Sequence, residues 1–313
     1  MNEPVQLKTL TFGSRGAGPH LLITGGVHGD EFEPMVALRR LARSLERTTL
    51  RGQVTLVPVV NEAAFARGDR VAEDGLDLAR TCPGRPDGSI TERTAHALSE
   101  LIRSADYYID LHTGGTTLAV WPMTGYVLHS DPKILDQQRA LARAFNLPVI
   151  WGTDPTLPGR SLSVARDAGV PAIYAEYLGA GNVTAVGVDL YIEGCRNVLA
   201  HLGMLDQDAE ADAVRWILED PRTGSGHMQR CYPSPAAGYF EAAVFLGLPV
   251  ESGQIIGSVV DPLGQIRHEI RATESGLILV LRTFPSVKQG DSLAVILDTS
   301  FAIQSPRANS LTG

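Results

Sequence analysis

The chain has 313 residues, a formal net charge of −8 and 44% hydrophobic residues, enough for one large folded unit or a medium one with a small companion. The acidic balance and the lack of clustered Lys and Arg exclude a broad phosphate-binding surface, so nucleic acid is not an expected partner. No run approaches the ~20 apolar residues of a membrane span, the N-terminus has no secretory pattern, and Cys82, Cys195 and Cys231 lack paired thiolate spacing, so a cytoplasmic protein with reduced thiols and no membrane partner is expected.

From residue 20 to about 205, short apolar runs alternate with segments of helical period, the pattern of an α/β fold with a mostly parallel or mixed sheet covered by helices. HLLIT at 20–24, VTLVPVV at 54–60, YYIDL at 107–111, LPVIW at 147–151 and AIYAEY at 172–177 read as buried strands. Helices are expected over 31–44, from a Ser89/Glu92 capping box to about Ser104, from Asp131-Pro132 onward, and over 184–203. The stretches 61–88 and 114–130 have no clear period and read as functional loops. In the second, Trp121, Met123, Tyr126 and His129 are expected either to line a substrate pocket or to pack on the helix layer.

Beyond residue 222 the pattern changes to short alternating stretches punctuated by glycine, and PVESGQIIGSVVD and PSVKQGDSLAVIL look like two versions of one hairpin unit. The expected organisation is a catalytic α/β domain over 1–222, a small all-β barrel-sandwich domain over 223–303, and a disordered tail over 304–313. Paired hairpins also suggest a swinging-arm carrier, but the tip DPLGQ at 261–265 has no lysine to carry a cofactor.

The strongest local signal is GGVHGDE at 25–31, between the first strand and the first helix, where His28 and Glu31 stand three apart. An imidazole and a carboxylate supply two of the three protein ligands of a catalytic zinc, and His112, in DLHTGG after the strand YYIDL, supplies a third. Such a set leaves one coordination position for water, as hydrolysis requires. Asp110 lies on the same strand face as His112, suited to orient a ligand or an arginine. Glu176, at the end of another apolar strand, is the candidate base, because burial there raises a carboxyl pKa toward the range useful for proton transfer. Each of these side chains also has a plain structural reading, as a core histidine or a backbone-bonded carboxylate, so the weight rests on their combination. Lysine occurs only at Lys8, Lys133 and Lys288, so recognition of a substrate anion falls to arginine, whose planar fork matches a carboxylate.

GGVHGDE, DGLDLARTCPG at 74–84, DLHTGG and AEYLGAG at 175–181, in that order, resemble the succinylglutamate desuccinylase and aspartoacylase family, which is related to zinc carboxypeptidases. The resemblance implies one zinc per chain on His28, Glu31 and His112, with Glu176 as general base and acid. It further implies that Arg70 polarises the scissile carbonyl, with Arg67 close enough to compete for that assignment, that Arg80 grips the substrate carboxylate, and that Arg160 is a further substrate-side arginine. Many relatives have Asn before the second arginine where this chain has Ala79, a position without a side-chain hydrogen-bond donor. The expected activity is zinc-dependent removal of the acyl group from a small N-acyl amino acid, with the alternatives of a carboxypeptidase on short peptides or a metal-dependent binding homologue without catalysis. Acetyl, succinyl and formyl groups remain open, with acetylated diaminobutyrate a candidate because nearer relatives act on it, and a homodimer is compatible with the sequence.

Overall fold

The computed structural model describes residues 4–207, 212–228 and 231–304. The first half builds the sheet expected from the apolar runs: β1 (Leu10–Gly13), β2 (His20–Gly25), α1 (Phe32–Leu45), β3 (Gln53–Val57), α2 (Glu62–Arg67), α3 (Ile90–Arg103) and β4 (Tyr107–His112). Then come β5 (Leu118–Val127), α4 (Pro132–Phe145), β6 (Val149–Thr153), α5 (Ser161–Ala168), β7 (Ala172–Gly179), α6 (Ala185–His201) and β8 (Trp216–Glu219). The caps follow local chemistry. Ser89 and Glu92 form the expected capping box of α3, and Asp131 caps α4 with Pro132 in its first turn.

The strands order as β1-β3-β2-β4-β7-β5-β6-β8, with β2, β3, β4 and β7 mutually parallel and β5 antiparallel to β7. One face is covered by α1, α4 and α6 through a cluster that includes Leu38, Leu41, Phe145, Tyr191 and Val198, the other by α3 and α5 through Leu98, Ile102, Tyr108, Met123 and Leu162. The sheet is thus buried on both sides, which accounts for the near-continuous apolar runs.

β5 corrects the sequence reading of 114–130 as a loop. Pro122 argues against a central strand because it cannot donate to a ladder; here it falls where the β5–β7 register shifts, between Val120 and Met123. The residues singled out in this stretch have structural places. Tyr126 donates to Glu219 at 2.6 Å, Met123 is fully buried, Trp121 packs under Gly247, and His129 Nε2 lies 3.4 Å from the Arg166 carbonyl.

The C-terminal region contributes β9 (Gly238–Ala242), β10 (Pro249–Val250), β11 (Ile255–Val260), β12 (Arg267–Arg271), β13 (Gly276–Arg282), β14 (Ser286–Val287), β15 (Ala294–Leu297) and β16 (Ala302–Gln304). Strands β12-β11-β9-β14 make a separate antiparallel sheet that packs across Phe240, Ile256, Ile278 and Ile296 onto β10, β13 and β15. The two resembling hairpin units are divided between these layers, with β11 in one and β15 in the other. The β region is also stitched into the main sheet, since β13 pairs antiparallel with β5, Val280 opposite Val120. Gln304 ends a strand, and the rest of the expected tail, 305–313, lies outside the described residues.

The loop 26–31 owes its position to a close approach at Gly29, where a Cβ would overlap the backbone of Ala64 and Phe65 in α2. Gly29→Ala is therefore expected to push this loop off α2 and lower stability by about 2 kcal/mol, read by thermal unfolding.

Candidate metal centre and active-site cleft

His28 and Glu31 come from the turn between β2 and α1, His112 from the last residue of β4. The hydrogen-bonded neighbours β2 and β4 bring them together. One ligand atom from each lies within 4.8 Å of the others, and the imidazole centroids are 5.3 Å apart. Glu31 is 1% exposed and lies between the rings, its Oε1 2.6 Å from His28 Nδ1 and its Oε2 2.9 Å from His112 Nδ1.

The outer nitrogen of each ring meets another carboxylate. His112 Nε2 is 3.1 Å from Asp110 Oδ2, and Asp110 also accepts from Thr24 Oγ1 at 2.7 Å and from Ser161 Oγ. His28 Nε2 is 3.1 Å from Asp77 Oδ1. A carboxylate that takes the Nε2 hydrogen leaves the Nδ1 lone pair directed at the centre, as metal ligation requires. The donor set therefore fits a zinc ion: two imidazole nitrogens and a carboxylate, with the far side of each ring anchored.

Asp77 has no role in the sequence reading, although it lies within the segment 74–84. Its Oδ1 also accepts from Ala79 N at 2.9 Å, and its Oδ2 accepts from Arg70 Nε and Nη2 at 3.3 and 3.1 Å. The loop that carries it is shaped by the Asn61 cap of α2 and by Asp74, which accepts from Thr91 N and Oγ1 at the start of α3. Arg70 Nη1 lies 3.7 Å from Glu31 Oε1, so one carboxylate positions both a candidate ligand and the candidate oxyanion-binding arginine.

Charge follows this arrangement. Burial pulls the His112 pKa down, but the carboxylates of Asp110 and Glu31 outweigh it and hold the pKa well above the ordinary histidine value. Burial would raise Asp77, yet the His28 hydrogen bond and the Arg70 charge hold it well below the carboxylate range. Glu176 goes the other way. Burial, reinforced by the Glu31 charge against the pull of His112 and Arg70, pushes it up to about 8. It stands opposite His112 in the β4–β7 ladder, 5% exposed, with Oε2 buried and without a hydrogen-bond partner among the described residues.

A cleft opens above the centre, lined by His28, Glu31, His112, Glu176, Arg70, Arg80 and Arg160 on its polar sides. Leu118, Val120, Val127, Leu162, Met228 and Val280 supply apolar wall. Arg67 is not brought to the others. It ends α2 with its side chain 48% exposed and Nη2 4.0 Å from Asp69, and it is not among the cleft-lining residues. Thus 61–88 contributes Arg70, Ala79 and Arg80 to the cleft wall and Asp77 as the support of His28 and Arg70, while 114–130 contributes Leu118, Val120 and Val127 in place of the larger side chains expected there. No helix among the described residues is long and apolar enough to cross a membrane.

Residues 17–202 match the family model of the succinylglutamate desuccinylase/aspartoacylase catalytic domain. An N-alpha-acetyl-L-2,4-diaminobutyric acid deacetylase of Halomonas elongata is 34% identical over 297 residues, covering 92% of this chain and 85% of its own length. A succinylglutamate desuccinylase from a Silicibacter species superimposes with a TM-score of 0.84 at 31% identity, covering 93% of this chain and 88% of that one. The product-bound ectoine utilization protein EutE (DoeB) of Ruegeria pomeroyi gives 0.81 at 32% identity, with 90% and 86% coverage.

Two outcomes follow from the charge pattern. Asp77→Asn should weaken the affinity of the centre for zinc about 10- to 100-fold, measured by competition with a chelator, because the acceptor of the His28 Nε2 hydrogen loses its charge. In metal-free protein, folding favours protonated Glu176, since its folded pKa near 8 exceeds the ordinary carboxyl value. The destabilisation from its charge is therefore absent at low pH, grows as pH rises past the unfolded value, and is complete above about 8. Glu176→Gln should accordingly raise the melting temperature at pH 8–9, with the gain vanishing toward pH 4.5.

Proposed function

The chain belongs to the succinylglutamate desuccinylase/aspartoacylase family, and from that premise we propose that it is a zinc-dependent amidohydrolase that removes the acyl group from a small N-acyl amino acid. The observation that carries this reading is the convergence of His28, Glu31 and His112 in one cleft with a buried oxygen of Glu176 that has no hydrogen-bond partner among the described residues. One zinc per chain, held by His28, Glu31 and His112, would supply Lewis acidity that polarises the amide carbonyl and eases deprotonation of water near neutral pH.

The remaining steps belong to the chain's own residues. Glu176 takes a proton from the attacking water and returns it to the departing amine nitrogen; burial, which lifts its carboxyl above the ordinary value, suits a group that must do both near neutrality. Arg70, tethered by Asp77, stabilises the negative charge that develops on the acyl oxygen, worth ~3–4 kcal/mol for a well-placed donor. Arg80 and Arg160 hold the substrate carboxylate. With Ala79 where many relatives have Asn, that grip relies on the guanidinium groups and on backbone.

On this reading residues 1–222 are the catalytic domain and 223–303 a β domain that narrows the cleft, since Val280 of β13 and Met228 lie in its wall. A narrowed cleft favours a small N-acyl amino acid over a peptide. Nα-acetyl-2,4-diaminobutyrate is the first compound to assay, because the Halomonas relative is named for it.

Zinc-loaded protein should release free amino acid from one or more N-acyl amino acids, lose that activity to a chelator and regain it with zinc. Glu176→Gln should retain zinc while turnover falls about a hundred- to ten-thousand-fold; turnover near that of the parent would remove Glu176 from the base role, and cleavage of short peptides alone would favour a carboxypeptidase.

A further inference from the structure

Among the polar side chains that line the cleft, Tyr174 takes no part in the proton transfers and charge stabilisation above. Tyr174 precedes Glu176 by two residues on β7, so both side chains point to the same sheet face. It lines the cleft at 9% exposure. Its partner across the antiparallel pair is Gly125 of β5, and a Cβ on Gly125 would overlap the Tyr174 ring at Cζ, Cε1 and the hydroxyl. The ring therefore lies across bare backbone, and its hydroxyl is carried over β5 toward β6. Val127 and Thr153, opposite one another in the β5–β6 ladder, line the same side of the cleft.

Arg160 enters this side pocket from the start of α5. Its Nη2 donates to the Gly226 carbonyl at 3.3 Å, while its Nε is buried with no hydrogen-bond partner among the described residues. The Tyr174 hydroxyl lies in the fields of both charges that flank it: burial raises the phenol pKa, the Glu176 charge adds to the rise, and Arg160 opposes it. Tyr174 is thus a neutral donor beside a cationic one, between apolar walls formed by Leu162 and Met228. Two such donors suit a carboxylate, whose oxygens accept several hydrogen bonds, and the Arg160 charge repels an ammonium group.

We propose that Tyr174 is a specificity-determining residue in contact with substrate, held in place by the missing side chain at Gly125 and donating its hydroxyl hydrogen, beside Arg160, to a substrate carboxylate in the pocket over β5 and β6. This assignment rests on the deacylase reading for the identity of the substrate. The carboxylate belongs to the α-position, the amino-acid side chain or the acyl group, and compounds that carry it in different places distinguish the three.

The test uses zinc-loaded protein with N-acetyl-L-alanine, N-acetyl-L-aspartate, N-succinyl-L-alanine and, as a control without a carboxylate, N-acetyl-L-alaninamide. Tyr174→Phe keeps the ring on Gly125 and removes only the hydroxyl. It should raise KM about tenfold or more, with kcat changed less than about twofold, for the acids whose carboxylate occupies the pocket, and leave the amide unaffected. Loss on all three acids assigns the α-carboxylate, loss on the aspartate alone its side chain, and loss on the succinyl compound alone the acyl group. Gly125→Ala should reproduce the loss and add nothing in a Tyr174→Ala background, because its effect acts through the ring. Calorimetric titration of the same compounds into Glu176→Gln protein, with and without Tyr174→Phe, reads the contact without turnover. Unchanged KM and affinity for every acid, an equal loss on the amide, or additive effects of the Gly125 and Tyr174 substitutions would overturn the role of Tyr174. Acids bound through Tyr174 but never hydrolysed would contradict the deacylase reading and leave the contact standing.

Discussion

The site is organised around a carboxylate almost wholly withdrawn from water. Glu31 is 1% exposed, and an anion so placed is tolerated only when hydrogen bonds and opposite charge replace its hydration. Both imidazoles turn their Nδ1 atoms to it, the Thr113 amide donates to it at 3.3 Å, and Arg70 stands 3.7 Å away. Each of these partners is itself held, His28 and Arg70 by Asp77 and His112 by Asp110. Glu31, Asp77 and Asp110 bring three carboxylates to the two rings, negative charge that favours a divalent cation at the point where the imidazoles meet.

The fold serves this arrangement through the centre of its sheet. Strands β2, β4 and β7 run parallel, so GGVHGDE, DLHTGG and Glu176 emerge at neighbouring positions of one layer. β5 runs the other way and does two further things. It offers the glycine backbone on which Tyr174 rests, and it pairs with β13, which brings Val280 into the wall of the cleft. The C-terminal strands are thus part of the wall of the cleft.

Much of this was legible in the sequence because it depends on local order. Buried parallel strands leave apolar runs, helix starts leave capping residues, and residues three apart in one turn must stay close, as His28 and Glu31 do. What escaped depends on distant segments meeting. Asp77 folds back across 49 residues to reach His28, a partnership that no spacing encodes. β5 was hidden by Pro122 and Gly125, residues that weaken a strand signal, yet one falls at a register shift and the other makes room for an aromatic ring. Arg67 and Arg70 were nearly equivalent as text; the end of α2 and the left-handed turn at Gly68 separate them, sending one to the surface and the other into the cleft.

X-ray absorption at the zinc edge of protein purified with bound metal tests the central claim most directly. The account predicts one zinc per chain with a first shell of nitrogen and oxygen at about 2.0–2.2 Å and imidazole scattering from two histidines. Sulfur at about 2.3 Å, or a shell without imidazole, would contradict it.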